Sequence, residues 1–130
     1  MTQELRFFRL WFGLGLLACA GLVYVCLMPQ PPQPDIRHFD KFEHALAYCV
    51  LGAWFAAILP RRYLRVCIGL PLLGATIEVL QSLTGYRSGD VLDMVANIIG
   101  IGVGLACARA GLMRWLYHID EHAFPERNRT

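Results

Sequence analysis

Charged residues are scarce in this sequence: Asp, Glu, Lys and Arg make up 17% of its 130 residues, against about 25% in typical soluble proteins. Hydrophobic residues make up 56% of the chain, and the mean hydropathy is +0.44. This composition excludes an ordinary soluble domain and indicates a membrane protein. The net charge is only +2, and there is no basic arm or aromatic platform, so we expect no nucleic-acid partner.

Several other signals are missing. The chain has no internal repeat of 20 to 50 residues and no Cys-x-x-Cys or His-Glu-x-x-His spacing, and it offers no convincing catalytic nucleophile. These absences exclude a solenoid and a standard zinc framework. The five cysteines all lie in apolar runs, so we interpret them as small buried side chains. We expect a single membrane domain over residues 1–130.

Four apolar runs dominate what is present, and they predict helices at about 10–28, 42–59, 63–83 and 91–110. Each run is long enough to cross a hydrocarbon core of about 30 Å, which takes roughly 20 helical residues. The proline-rich stretch 29–34, the segment 60–62 and the segment 84–89 read as loops. The predicted fold is therefore all-α, a bundle of four transmembrane helices.

Three smaller features of the sequence also lead to predictions. Ala18-Cys19-Ala20 resembles a cleavage site, but the apolar run continues to Leu27, which favours a retained anchor over a signal peptide. Trp11 and Trp54 are expected to face lipid or the interface. The chain becomes polar beyond about Arg114.

The distribution of basic residues predicts the orientation. Four helices place nine arginines on one side of the membrane: Arg6, Arg9, Arg61, Arg62, Arg65, Arg109, Arg114, Arg127 and Arg129. Only Arg37, Lys41 and Arg87 fall on the other side. Because Lys and Arg stay cytoplasmic, both termini are predicted to be cytoplasmic, in a multi-pass protein of the inner membrane, with the first and third loops facing outward.

Polar residues gather near the outer ends of three predicted helices. They follow helical spacing: Asp40, His44 and Tyr48 at i, i+4 and i+8, Glu78 and Gln81 at i and i+3, and Asp90, Asp93 and Asn97 at i, i+3 and i+7. Lys41 and Arg87 lie at the same level. An ionisable side chain within a span costs about 2.5 to 3.5 kcal/mol on insertion scales, so such a cluster is by default a hypothesis of a functional site. Glu43 lies off the stripe and is expected to be solvated.

The charges of this cluster do not balance. Asp40, Glu78, Asp90 and Asp93 are four carboxylates, and Lys41 and Arg87 are two cations. The surplus of two negative charges could be met by protonation of a carboxylate, by a protonated His44, by a divalent metal or by a cationic ligand. The cofactor therefore stays open, with a metal one alternative. Asp40 and Asp90 are also candidate helix N-caps.

The same residues resemble the VanZ-like family of small integral membrane proteins. The resemblance rests on the run from Asp40 to Gly52, then Glu78-x-x-Gln81, Arg87 and Asp90-x-x-Asp93-x-x-x-Asn97, and it covers about residues 36–105. It implies a cell-envelope context, because the founding member of the family is an accessory factor in resistance to the glycopeptide antibiotic teicoplanin. It implies no particular reaction.

The leading hypothesis is a membrane module that presents an outward-facing polar, acidic pocket to an envelope lipid or a lipid-linked precursor. Lys41 and Arg87 could hold a phosphate, and the carboxylates an amine or a cation. Two alternatives stay open: a hydrolase or transferase using His44, Glu78 and Asp93 as catalytic groups or metal ligands, and a structural or assembly partner whose polar network only fixes helix packing.

A ridge of small residues on the fourth helix adds a prediction about packing. Ala96, Gly100, Gly104 and Ala108 recur every four residues, a spacing that lets membrane helices approach closely. We expect this ridge to serve packing, with a homo-oligomer through the same residues as a further hypothesis.

Overall fold

A computed structural model of the protein describes residues 5–29 and 39–123. These residues form the helices α1 (Phe8–Leu27), α2 (Phe39–Ile58), α3 (Tyr63–Leu83), α4 (Val91–Arg109) and α5 (Arg114–His122). The first four match the predicted helices to within three residues at each end. Residues 30–34 of the proline-rich stretch, Arg37, Arg127 and Arg129 lie outside the described residues.

Helices α1 to α4 run alternately up and down. Trp11 and Gly15, near the start of α1, contact Trp54 and Phe55, near the end of α2. The end of α1 meets the end of α3, where Gln81 reaches the carbonyl of Cys26. Helix α1 therefore runs parallel to α3 and antiparallel to α2. Helix α4 runs parallel to α2, because Gly100 and Gly104 lie against Ala45 and Cys49 in the same order along the chain.

The pair α2 and α4 forms the centre of the bundle, and small residues bring the two backbones together. A Cβ atom added at Gly100 would overlap the carbonyl oxygen of Ala45, and one added at Gly104 would overlap that of Cys49. A Cβ atom at Gly52 would lie 3.1 Å from the carbonyl oxygen of Ile101. The predicted ridge is thus used for packing inside the chain, against α2. The homo-oligomer through the ridge stays a prediction.

Large apolar side chains cover the outside of the bundle. Leu17, Leu64, Leu83 and Val91, among others, are between 69% and 80% exposed. An apolar surface of this kind marks contact with lipid or with another apolar partner. Three of the helices, α1, α3 and α4, are long and apolar enough to cross a membrane. Helix α2 has 20 residues, but the polar residues at its start lower its mean hydropathy, and it is not among the three.

A fifth helix, α5, was not predicted, because it is short and amphipathic: five of its nine residues are Arg, His, Asp or Glu, and it follows the last apolar run. The chain turns into it through Gly111, which has a φ of +84°. The N–H groups of Gly111 and Leu112 donate to the carbonyls of Ala108 and Cys107, at 3.1 Å each. This is a Schellman motif, in which a glycine takes the left-handed conformation that ends a helix.

Helix α5 packs at the end of the bundle where α1 begins. Asp120, only 4% exposed, accepts hydrogen bonds from the backbone N–H groups of Arg6, at 2.6 Å, and Phe7, at 3.1 Å. Its carboxylate also accepts from the indole Nε1 of Trp11, at 2.6 Å. Helix α1 has no side-chain cap of its own, and the Asp120 carboxylate satisfies the two backbone N–H groups that immediately precede its first residue.

The tryptophan prediction needs correction. Trp11 does not face lipid: it is 8% exposed, and its indole is held by Asp120. Trp54 is half-buried and donates from Nε1 to the carbonyl of Trp11, at 3.1 Å. Tyr117 of α5 donates in turn to the carbonyl of Ala57, at 2.5 Å, and burial raises the pKa of its phenol. Buried polar tips of aromatic rings need such partners.

Candidate functional site

The predicted polar residues of three helices meet at one end of the bundle. Lys41, in the first turn of α2, lies at the mouth of this group. Its ammonium contacts Asp90 at 2.7 Å, Asp93 at 3.2 Å and Asp40 at 3.3 Å. Helix α2 begins three residues earlier than predicted, so the prediction of Asp40 as an N-cap is wrong. Asp40 lies in the first turn, where it complements the positive end of the helix dipole.

His44 lies one turn deeper and joins α2 to α4. Its Nδ1 lies 3.1 Å from Oδ1 of Asn97, and its Nε2 lies 3.9 Å from Oδ2 of Asp93. His44, Asp93 and Asn97 are 8%, 6% and 1% exposed. Since an amide oxygen can only accept, the ring donates from Nδ1 in this contact, and its Nε2 faces Asp93.

Glu78 brings α3 into the same group. Its Oε2 accepts from the backbone N–H of Asp90, at 2.8 Å. Asp90 caps α4, since its Oδ1 accepts from the N–H of Leu92 at 2.8 Å, which confirms its predicted role as an N-cap. Gly89 allows this approach, because a Cβ atom there would lie 3.1 Å from the carbonyl oxygen of Glu78.

Two buried polar atoms of this region have no partner among the described residues: the hydroxyl of Tyr48 and Oε1 of Glu78. Tyr48 is fully buried and lies one turn below His44 on the same stripe. A Cβ atom added at Gly74 of α3 would lie 3.2 Å from the Tyr48 hydroxyl and 2.8 Å from Nδ2 of Asn97. Unsatisfied buried polar atoms are rare in native proteins and call for an explanation.

The group is open at one end and closed at the other. The side chains of Asp40 and Asp90 are 51% and 40% exposed, that of Lys41 is 18% exposed, and those of Asp93 and His44 are 9% exposed. We call His44, Tyr48, Glu78, Asp93 and Asn97, with Asp40, Lys41 and Asp90 at the mouth, the polar cluster. Glu43 is exposed and outside it, as expected.

Gln81 and Arg87, also predicted site residues, make different contacts. The amide of Gln81 donates to the carbonyl of Cys26, at 3.0 Å, and the guanidinium of Arg87 donates to the same oxygen. Tyr86, which the sequence did not single out, donates to the carbonyl of Leu27 at 2.5 Å. These three side chains satisfy the last carbonyls of α1 and so fasten it beside the polar cluster.

Within residues 5–29 and 39–123, two groups of side chains have the spacing of metal ligands. One ligand atom each of His44, Glu78 and Asp93 lie within 4.8 Å of one another. The same holds for His118, Glu121 and His122, which are exposed on α5. The sequence predicted the first group, whereas the second was not predicted.

The apolar outer surface and the three helices long and apolar enough to cross a membrane are those of a membrane protein. Its family follows from the sequence: residues 3–114 match the model of the family described as VanZ/LLP1. The chain belongs to this family, as its resemblance predicted. Neither the curated proteins nor the solved structures contain a significant match to it.

Proposed function

We propose that this protein is a four-span module of the bacterial inner membrane, and that its polar cluster faces outward to bind the headgroup of an envelope lipid or a lipid-linked precursor. The orientation is supported by charge. The described arginines other than Arg87 belong to the opposite end of the bundle: Arg6, Arg9, Arg61, Arg62, Arg65, Arg109 and Arg114. A basic end of this kind stays cytoplasmic.

Helix α2 is the fourth span in this proposal. At 1.5 Å per residue its 20 residues are about 30 Å long, the thickness of a hydrocarbon core. It packs along α4, which is apolar enough to cross, and its charged residues lie in the first turns, where the bilayer meets water.

The observation that carries the ligand proposal is the pair of unpartnered atoms, the Tyr48 hydroxyl and Glu78 Oε1. Leaving a polar group buried without a hydrogen bond costs about 1 to 3 kcal/mol. A network that served only to hold helices together would satisfy its own members. A bound ligand would supply the missing partners.

The packing of α2 against α4 is also stabilised by a contact between their backbones. The backbones of α2 and α4 meet through Gly100 and Gly104, against the carbonyls of Ala45 and Cys49. This contact needs no polar side chain, and it fixes the pair without help from His44 or Asp93. The alternative of a purely structural network is therefore weaker than the ligand hypothesis.

The charged groups of the polar cluster, together with Arg87, limit which kinds of ligand could bind. Lys41 is already surrounded by Asp40, Asp90 and Asp93, and Arg87 holds the end of α1, so the predicted phosphate contacts of these two cations are partly used inside the protein. Of the two atoms left over, Glu78 Oε1 is an acceptor, and the Tyr48 hydroxyl can donate or accept. A ligand that brings donors or positive charge fits best, either an amine-bearing headgroup or a phosphate accompanied by a cation.

Native mass spectrometry of the protein, purified from its membrane in mild detergent, tests this function. We expect the wild type to retain an envelope lipid and the Asp93→Asn variant to retain about tenfold less, since a hydrogen bond to a charged group contributes about 1.5 to 3 kcal/mol. Glu43→Gln is the matched control, because Glu43 is an exposed carboxylate outside the cluster. Equal lipid content in all three proteins would refute lipid binding by the polar cluster.

Catalysis is the second candidate, favoured by the closeness of His44, Glu78 and Asp93. In a hydrolase or transferase His44 would serve as general base, oriented by Asn97 through the 3.1 Å contact at Nδ1. Turnover of a polyprenyl diphosphate in proteoliposomes, lost in His44→Gln, would establish this activity. No turnover with lipid still bound would leave a binding module.

The family suggests a readout in cells. Expressed in a glycopeptide-sensitive host, the wild type is expected to change teicoplanin susceptibility, and Asp93→Asn at the same membrane level is not. An effect that survives Asp93→Asn would favour an assembly partner that works without the polar cluster.

A further inference from the structure

The ligand atoms of His44, Glu78 and Asp93 converge from three helices. His44 Nε2 and Asp93 Oδ2 are 3.9 Å apart, and one carboxylate oxygen of Glu78 completes a group within 4.8 Å. Bonds from zinc to nitrogen or carboxylate oxygen are about 2.0 to 2.2 Å, so ligand atoms around one ion lie about 3 to 4 Å apart. A small inward shift of the side chains brings the three atoms to that spacing.

The second heteroatom of each of these side chains has a partner. His44 Nδ1 donates to Asn97 Oδ1 at 3.1 Å. Asp93 Oδ1 accepts from Lys41 at 3.2 Å, and Glu78 Oε2 accepts from the N–H of Asp90 at 2.8 Å. Metal-binding histidines and carboxylates are held in this way by outer partners, which fix the tautomer and the orientation.

Buried oxygen atoms without a hydrogen-bond partner are available to contact a metal. Glu78 Oε1 is buried and has no hydrogen-bond partner, and the fully buried Tyr48 hydroxyl, one turn below, has none either. The cluster also has four carboxylates against Lys41 and the more distant Arg87, a surplus of two negative charges. A divalent cation would satisfy the free oxygen and balance this charge.

We propose that His44, Glu78 and Asp93 bind a first-row transition-metal dication, with Zn²⁺ the best fit. Magnesium and calcium prefer all-oxygen sites, whereas an imidazole with two carboxylates suits zinc, manganese or iron. Three protein ligands leave a fourth position open. The metal site stands on the geometry alone and rests on the proposed function only for the identity of the fourth ligand, a phosphate oxygen of the bound lipid.

The exposed group on α5 must be removed from the test, because His118 and His122 would bind metal adventitiously. The full-length chain is therefore prepared with a tag that contains no histidine and with His118→Gln and His122→Gln in every protein. Glu78→Gln and Asp93→Asn are the test variants, and Glu43→Gln is the matched control. Circular dichroism checks that each variant keeps its helices.

Metal is measured by mass spectrometry after equilibration with buffered Zn²⁺. We expect about one zinc per chain in the parent and in Glu43→Gln, as in a single mononuclear site. Zinc affinity should fall at least tenfold in Glu78→Gln and Asp93→Asn, and about 10-fold to 100-fold in Asn97→Ala, because outer partners have effects of that size. X-ray absorption should show one nitrogen and two carboxylate oxygens from the protein.

A parent protein with no zinc, or a zinc content equal in the parent and in Asp93→Asn, would overturn the metal site. This failure is distinct from failure of the proposed function. A protein that carries lipid without metal leaves the lipid module standing, and one that carries zinc without lipid leaves only the metal site.

Discussion

At the scale of single residues, a substitution of Tyr48 distinguishes a ligand site from a network that serves only helix packing. Its hydroxyl is fully buried and unpartnered, so removing it should not destabilise the protein without ligand. We predict that Tyr48→Phe unfolds in detergent at the same temperature as the wild type or a higher one, while its lipid content falls. A lower unfolding temperature together with unchanged lipid would assign the hydroxyl to the fold.

The role of Asp120 could not be predicted from the sequence. We predict that Asp120→Ala lowers the free energy of unfolding by about 1.5 to 3 kcal/mol, because buried donors at the start of α1 lose a charged acceptor. The neighbouring Glu121→Ala, at an exposed position, should change it by less than about 0.5 kcal/mol. Thermal unfolding in one detergent compares the two, and equal stability would contradict the capping role.

Sequence spacing could predict the polar cluster because its residues follow helical periodicity and are out of place in apolar spans. It could not predict how the members pair. Gln81 and Arg87 share the level of the cluster but bind the end of α1, a choice set by the packing of α1 against α3. Asp120 contacts Arg6 and Trp11, which lie far from it in the sequence, so no local pattern could predict this contact.

At the scale of helices, glycine substitutions test the close backbone contact between α2 and α4. Gly100→Ala places a methyl group against the carbonyl of Ala45 and should destabilise the fold by about 1 to 3 kcal/mol through overpacking. Gly102→Ala, on the same helix with open space around it, should be neutral or stabilising, since alanine is the better helix former. If Gly100→Ala unfolds no earlier than Gly102→Ala, the close approach is wrong.

The lengths of the first four helices were predictable because apolar runs and prolines mark them. Helix α5 was not, because a nine-residue amphipathic helix has no continuous apolar run of its own and depends on contacts with α1 and α2. Its start is encoded locally only by Gly111, whose positive φ ends α4.

At the scale of the whole molecule, the proposed topology has four spans with the polar cluster outward. In a variant without its five native cysteines, Glu43→Cys should react with a membrane-impermeant maleimide in intact cells. Arg62→Cys should react only after permeabilisation, because α2 separates the two positions. Labelling of both from the same side would mean that α2 does not cross the membrane.

The central claim is that the polar cluster holds a ligand, and an experimental structure in a lipid nanodisc tests it most directly. We predict non-protein density between His44 Nε2, Glu78 Oε1 and Asp93 Oδ2, open toward the exposed end at Asp40 and Asp90. A cluster that closes on itself, with Glu78 Oε1 and the Tyr48 hydroxyl bonded to protein atoms and no density between them, would contradict the claim.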